Sequence, residues 1–365
     1  MDDIGGGEWA AIERIRALLP SPPPNETWIG DDAAAVAHPG GPLLLAADLV
    51  VEGVHADLSL VGLDDLGWKA LAVNVSDIAA MGGRPLHALV CVAGPAHTDL
   101  DRLYAGIAAA CAEYRCAVVV GDLSNAEHVT VAVAITGECP GGRVVLRSGA
   151  RPGDALVVTG GLGRSAAGLA ALRRTAARAE DAGVGAAAAP GGDAGVGGAA
   201  APGGNAGGDA GGGGDAVSAE AAAHVEAYRR PRARVSEGMV AAAIGATAMI
   251  DVSDGLAMDV RHLADASGVG VDLSTVPVHP SGSVSEEEAL LGGEDYELLF
   301  AAPDADAVCD AFTTAGLRTP IVIGRCTADP AERRLRGGPL PVGGWEHRWG
   351  GTAGHGAGDG PPPRR

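Results

Sequence analysis

The chain has 365 residues, long enough for two domains of ordinary size with a core in each. Its 26 Lys and Arg against 46 Asp and Glu give a formal net charge of −20, which argues against nucleic acid, whose binding depends on basic patches that displace counterions. Small anions remain possible ligands, provided metal ions neutralise both sides of the encounter.

The amino terminus, Met1-Asp2-Asp3-Ile4, lacks the basic and apolar regions of a leader, and no uncharged apolar stretch reaches the roughly eighteen residues of a membrane span. Glu8 to Leu19 has helical spacing and is stopped by Pro20. Gly30-Asp31-Asp32 follows, readable as a turn or as an ion site. Leu43 to Ala47 reads as a buried strand ending at Asp48, whose charge between apolar flanks points to function over a solvent-facing edge position. His55, just beyond, would suit an anionic group or serve structure.

Asp64 to Ala80 reads as a helix in which Asn74 and Asp77 interrupt the apolar face, so their polarity needs partners. Lys69, the only lysine of the chain, lies in this helix, and basic work elsewhere must fall to Arg147 and a few other arginines. No G-x-x-x-x-G-K-[ST] occurs, so a P-loop nucleotide site is not expected. Leu86 to Ala93, Ala117 to Val120 and His128 to Thr136 are β-rich, with a helix over Asp99 to Tyr114. Gly121-Asp122 is read as the end of the second of these strands, either a ligand position or a loop cap.

Ala155 to Thr159 is a strand, and Gly160-Gly161-Leu162-Gly163 is read as a tight turn into a helix, since it lacks the acidic residue of a dinucleotide fingerprint. Residues 175–217 are almost entirely Gly, Ala, Pro and Asp, with nothing large enough for a core, and are expected to be a disordered insertion that carries no chemistry. Glu220 to Ile244 reads as mostly helical, Ala248 to Val252 as a short strand and Leu256 to Ala266 as a helix. Further strands are read over Val269 to Leu273, Glu297 to Ala302 and Pro320 to Ile323, and the tail after Gly350 is expected to be disordered. The six cysteines (Cys91, Cys111, Cys116, Cys139, Cys309, Cys326) form no C-x-x-C pair and lie in or beside apolar runs, so buried thiols in a reducing cytoplasm are expected.

Asp251-Val252-Ser253-Asp254-Gly255 is the strongest single element. Ser253 or Asp254 would serve as a helix cap, but a cap explains one residue, and two carboxylates at a strand-to-helix turn also offer metal oxygens beside a helix amino terminus that favours phosphate. Together the scattered aspartates suggest a magnesium cluster, since Mg2+ takes hard oxygen ligands and bridges carboxylates to phosphate oxygens.

The ordered set Gly30-Asp31-Asp32, Asp48 with Glu52-Gly53-Val54-His55, Lys69 to Gly82, Gly121-Asp122, Arg147 to Asp154, Ile250 to Leu256, Gly292 to Leu298 and Gly344 to His347 resembles the thiamine-monophosphate kinase family. That family sits in the superfamily that also includes aminoimidazole ribonucleotide synthetase and selenophosphate synthetase. The resemblance implies an α/β (α+β) architecture. An aminoimidazole ribonucleotide synthetase-like domain with a mixed sheet over 1–150 would precede an α/β domain over 151–350, interrupted by the insertion, with a tail over 351–365. It implies γ-phosphoryl transfer from ATP to thiamine monophosphate and a cytoplasmic homodimer joined through the first domain, with no membrane or nucleic-acid partner.

By motif match Asp32, Asp48, Asp77, Asp122, Asp251 and Asp254 would hold several Mg2+ ions, with Asp32, Asp77 and Asp254 central to catalysis. Gly121, Asp122, Arg147 and Ser253 would contact ATP, while His55, Glu294 and Trp345 would hold the thiamine moiety. Ala46-Ala47 stands where the family commonly has Ser-Thr, which removes two hydroxyls and leaves only backbone carbonyls as metal ligands there. Ala56 stands where an aromatic usually follows the histidine. The rival readings are a superfamily relative that activates another substrate and a binding protein without turnover.

Overall fold

A computed structural model describes residues 34–38, 40–181 and 219–346 of the protein. The helix expected over Glu8 to Leu19, the Gly30-Asp31-Asp32 site and the tail lie outside the described residues, as do Ala182 to Ser218 of the insertion region.

The first domain is built on a five-stranded sheet of β1 (Ala34–His38), β2 (Gly41–Val51), β3 (Arg84–Gly94), β4 (Ala117–Asn125) and β5 (Thr130–Glu138), in the order β1-β2-β5-β3-β4. Only the β3–β4 pair in this sheet is parallel, and the helix α2 (Leu100–Tyr114) makes the crossover that a parallel pair requires. Alternation along β5 turns Val131, Val133 and Ile135 inward onto the helix α1 (Leu63–Ala80). That helix is buried nearly all round, because the sheet, α2 and the second domain each cover part of it. Close helix packing depends on Gly67, where a Cβ would overlap the Leu103 carbonyl of α2.

The second domain carries a seven-stranded sheet of β6 (Ala155–Val158), β7 (Ala248–Asp251), β8 (Gly270–Leu273), β9 (Leu298–Ala302), β10 (Ile321–Thr327), β11 (Arg333–Leu335) and β12 (Gly338–Pro339), in the order β12-β11-β8-β10-β6-β9-β7. Its helices are α3 (Arg164–Asp181), α4 (Ala219–Arg229), α5 (Val235–Ala243), α6 (Leu256–Ser267), α7 (Glu286–Leu291) and α8 (Ala305–Thr314). Strands β7 and β9 are buried at every position, and their alternation sorts them into two cores. Ile250, Leu299 and Ala301 face the α6 side with Leu256 and Val260, whereas Met249, Phe300 and Ala302 face Phe312 of α8. The two-layer cover explains why these short strands read as continuous apolar runs.

Several boundaries differ from expectation. Strand β2 does not stop at Asp48 but keeps its register with β5 as far as Val51, because only the Asp48 side chain is charged and it reaches solvent. Nor does β4 end before Gly121-Asp122: it runs on to Asn125, with Gly121 opposite Val90 and Asp122 opposite Cys91. The missing Cβ of Gly121 is what lets the Val90 carbonyl come so close. Helix α3 continues to Asp181, so residues 175–181 are helical, in keeping with their three alanines and Arg178. The helical stretch over Glu220 to Ile244 is split into α4 and α5 with Pro231 between them. All six cysteines are free thiols, but only Cys116, Cys139 and Cys326 are buried; Cys111 and Cys309 are half-buried, and Cys91 is exposed because it falls on the outward set of β3.

Candidate active site

Helix α1 organises the site through polar side chains inside an apolar helix. Each has the partner that burial demands. Asn74 accepts from the backbone N–H of Asp48 through Oδ1 at 2.8 Å and donates to the Ala70 carbonyl at 2.9 Å. Ser76 Oγ donates to Asp251 Oδ2 at 2.6 Å, which fastens the first domain to the end of β7. The Lys69 ammonium stands 3.1 Å from both Glu294 carboxylate oxygens, 3.5 Å from the His55 carbonyl and 4.1 Å from the centroid of the Tyr228 ring. Asp77, half-buried, follows directly after Ser76. The single lysine is thus a buried cation at the domain junction.

The turn after β7 is the second organising element. Asp251 is buried, Ser253 and Asp254 are half-buried, and the N-cap position of α6 falls on Gly255 rather than on Ser253 or Asp254. Instead the turn's backbone receives the substrate candidates. The Glu294 N–H donates to the Ser253 carbonyl at 2.8 Å, and the Trp345 N–H donates to the Asp254 carbonyl at 2.9 Å. Val252 exchanges bonds with Tyr296 and Glu297, which extends the contact. Glu294 and Tyr296 adopt left-handed φ of 65° and 50°, strain of about 1–3 kcal/mol each that persists where the surroundings fix the backbone.

The electrostatics identify a residue that the motifs did not. Asp259, buried on α6, is raised well above the ordinary carboxylate range by burial first and then by the charges of Asp254 and Asp251, with Arg147 opposing. Its Oδ2 accepts from the Asp254 N–H at 3.2 Å. The signal for it was present in the sequence as an aspartate on the apolar face of a helix, at Leu256-Ala257-Met258-Asp259-Val260. Arg147 lies close to this acidic set, and its charge, after burial, also helps to hold His262 down at about 4.

Behind the turn, Asp295 accepts from the N–H groups of Gly163 at 2.6 Å and Ser165 at 3.2 Å, closing the tight Gly160 to Gly163 turn into α3 as expected. Glu297, although burial raises it, is held below its ordinary value by Arg234 and Arg318.

A cavity of about 340 Å³ opens beside these groups, lined by Tyr228, Glu294, Trp345, Leu169 and Arg173 among others. Tyr228 was not anticipated, because a tyrosine within an alanine-rich helix reads as core. His55 is half-buried behind Glu294, its Nδ1 accepting from the Val51 N–H at 3.0 Å, which places the ring proton on Nε2.

Asp251, Ser253, Asp254, Glu294 and Trp345 are thus brought together, with Arg147 near Asp259 and His55 joined through Lys69. The remaining candidates are spread over the first sheet. Ala46 is buried; Ala47, Asp48, Gly121 and Asp122 are exposed, and two strands separate β2 from β4. By register Asp48 shares its face with the inward Val133, and Asp122 with the outward Cys91. Asp32 lies outside the described residues. Among the described residues no three His, Cys, Asp or Glu side chains are grouped so as to hold a metal ion. The donor chemistry nevertheless suits a divalent cation: the charges of Asp254 and Asp251 raise the proton affinity of Asp259, and hard oxygens with excess negative charge are what Mg2+ takes.

Comparison with known proteins agrees with this architecture. Residues 30–139 match the family described as AIR synthase related protein, N-terminal domain, and residues 151–335 its C-terminal domain. The fold and site therefore define a two-domain AIR synthase related protein. Within that class the chain is 33% identical over 310 residues to a thiamine-monophosphate kinase of Aquifex aeolicus, covering 81% of this chain and 86% of the relative. It is 34% identical over 281 residues to that of Bacillus subtilis, covering 74% and 75%. A solved structure described as AaThiL complexed with AMPPCP and TMP superposes with a TM-score of 0.73 at 31% identity, over 93% of this chain and 97% of that one. The hydrogenase maturation protein HypE in complex with ATP shares the fold at 17% identity, with a TM-score of 0.57 over 88% of each chain. The chain belongs to the thiamine-monophosphate kinase family.

Proposed function

We propose that this protein transfers the γ-phosphoryl group of ATP to the phosphate of thiamine monophosphate, giving thiamine diphosphate and ADP. The observation that carries the reading is the pair of backbone bonds from Glu294 to Ser253 and from Trp345 to Asp254. They seat the groups suited to a cationic heteroaromatic directly against the turn suited to a phosphate.

An anionic acceptor attacking an anionic donor needs charge neutralised more than it needs a general base, because a phosphate monoester is already largely deprotonated at neutral pH. Bound Mg2+ would supply that neutralisation, held by Asp77, Asp251 and Asp254, with Asp32, Asp48 and Asp122 as further ligands and the Ala46 and Ala47 carbonyls in place of lost hydroxyls. Arg147, with Ser253 and the Gly121-Asp122 backbone, would hold ATP. Trp345 offers a π-face to the thiazolium or the pyrimidine, and His55 and Glu294 orient the same moiety.

Asp48 and Asp122 lie on different strands and opposite faces of one chain's sheet. The outward face also carries Leu49 at 49% and Leu89 at 37% exposure, flanked by Ala47 and Cys91. We assign this face to a homodimer joined through the first domain, since contiguous exposed apolar positions on a sheet mark an association surface. Among the described residues no helix is long and apolar enough to cross a membrane.

The test is ADP release with ATP and Mg2+, comparing thiamine monophosphate with thiamine and with formylglycinamidine ribonucleotide, and identifying the product. Thiamine diphosphate formed only from the monophosphate establishes the reaction; magnesium-dependent ATP binding without turnover replaces it with a binding function.

A further inference from the structure

We infer that Lys69 is the positioning residue of the thiamine cavity: its ammonium holds the Glu294 carboxylate as an oriented, charge-compensated hydrogen-bond acceptor and anchors the His55 loop beside it. The inference rests on the proposed phosphorylation of thiamine monophosphate and extends it to how the base is selected.

The pair is buried, with side-chain exposures of 4% for Lys69 and 6% for Glu294. A lysine in such a place is costly unless its partners are well arranged, and here three of them come from three separate segments. Glu294 comes from the strained stretch before β9, the His55 carbonyl from the loop after β2, and Tyr228 from α4. Two of the three are the substrate candidates of the sequence, and the third lines the cavity with Glu294 and Trp345.

Compensation by Lys69 changes what Glu294 can do. Facing a neighbouring cation, its carboxylate gives a cationic thiazolium little net Coulombic attraction, so the expectation that Glu294 recognises the substrate's charge is revised. Direction remains. The two oxygens retain lone pairs beyond those turned to the ammonium, and the Glu294 backbone is fixed by its bond to Ser253. An acceptor held this way suits the amino group of an aminopyrimidine. A site built to bond an N–H rejects an analogue without it far more strongly than a site that merely attracts charge.

The experiment is steady-state kinetics of the full chain and of K69R and K69M, with thiamine monophosphate and with its 4-oxo pyrimidine analogue, alongside thermal melting and the KM for ATP. K69R keeps the charge but replaces the compact ammonium with a planar fork that cannot take the same geometry. It should raise the KM for thiamine monophosphate by about ten- to a hundred-fold, the scale of a misplaced positioning group, and leave the KM for ATP within about two-fold. Preference for the amino over the oxo substrate should collapse in both variants.

Retained preference with an unchanged KM in K69R overturns the inference, as does parallel loss of ATP affinity and melting temperature in K69R, which would make Lys69 a structural strut. If K69M does not fold, K69R alone decides. Lack of turnover by the unmodified chain overturns the underlying reading, and this inference with it.

Discussion

Single carboxylates in this chain carry opposite assignments. Asp77 and Asp254 are the ones on which turnover should depend most: Asp77→Asn and Asp254→Asn are each expected to cut kcat by about a hundred-fold or more while circular dichroism stays unchanged, because a neutral amide cannot supply the charge a divalent cation needs. Near-normal rates in both would remove the metal mechanism. Asp295 behaves differently, since burial first, then Glu297, lift it to about 7 against the N–H groups that oppose the shift. The folded protein thus keeps a proton that the unfolded chain releases near 4, so its stabilising contribution is complete at low pH and is lost as pH rises through about 7. In magnesium-free buffer the melting temperature should fall between about pH 5 and about pH 8, with a shallower slope in Asp295→Asn. A rise over that range would contradict the assignment.

Among the elements, α1 does the most, and its position depends on one missing methyl group. Gly67→Ala should force α1 away from the Leu103 carbonyl and lower stability by about 1–3 kcal/mol, read from chemical denaturation, with an accompanying loss of activity because Asn74, Ser76 and Lys69 move with the helix. The helix itself was legible in the sequence, as were most strands, since apolar runs bounded by glycine and proline mark them clearly. Asn74 could be recognised as a polar interruption needing a partner, yet the partner could not, because Asp48 is brought to α1 by tertiary packing, as Asp251 is to the neighbouring Ser76. The ends of β2 and β4 were misjudged for a related reason. An aspartate or glycine reads locally as a terminator, whereas a sheet with a wet edge tolerates both. Asp259 was missed because one carboxylate on an apolar helix face looks like an accident until the turn beside it is seen folded back onto it.

For the whole molecule, the two domains meet through α1, and the acidic turn of the second lies against the polar stripe of the first. The proposed homodimer uses the outward face of the first sheet. Leu49→Glu with Leu89→Glu should convert dimers to monomers in light scattering, since two buried carboxylates on an apolar interface are costly to desolvate. A variant pair that remains dimeric would move the interface elsewhere. The solitary lysine has a further use. Selective isotope labelling of lysine would give the full-length chain one side-chain signal, seated between the domains and against the cavity wall. Nuclear magnetic resonance could then follow substrate occupancy and domain contact together, with no assignment problem to solve.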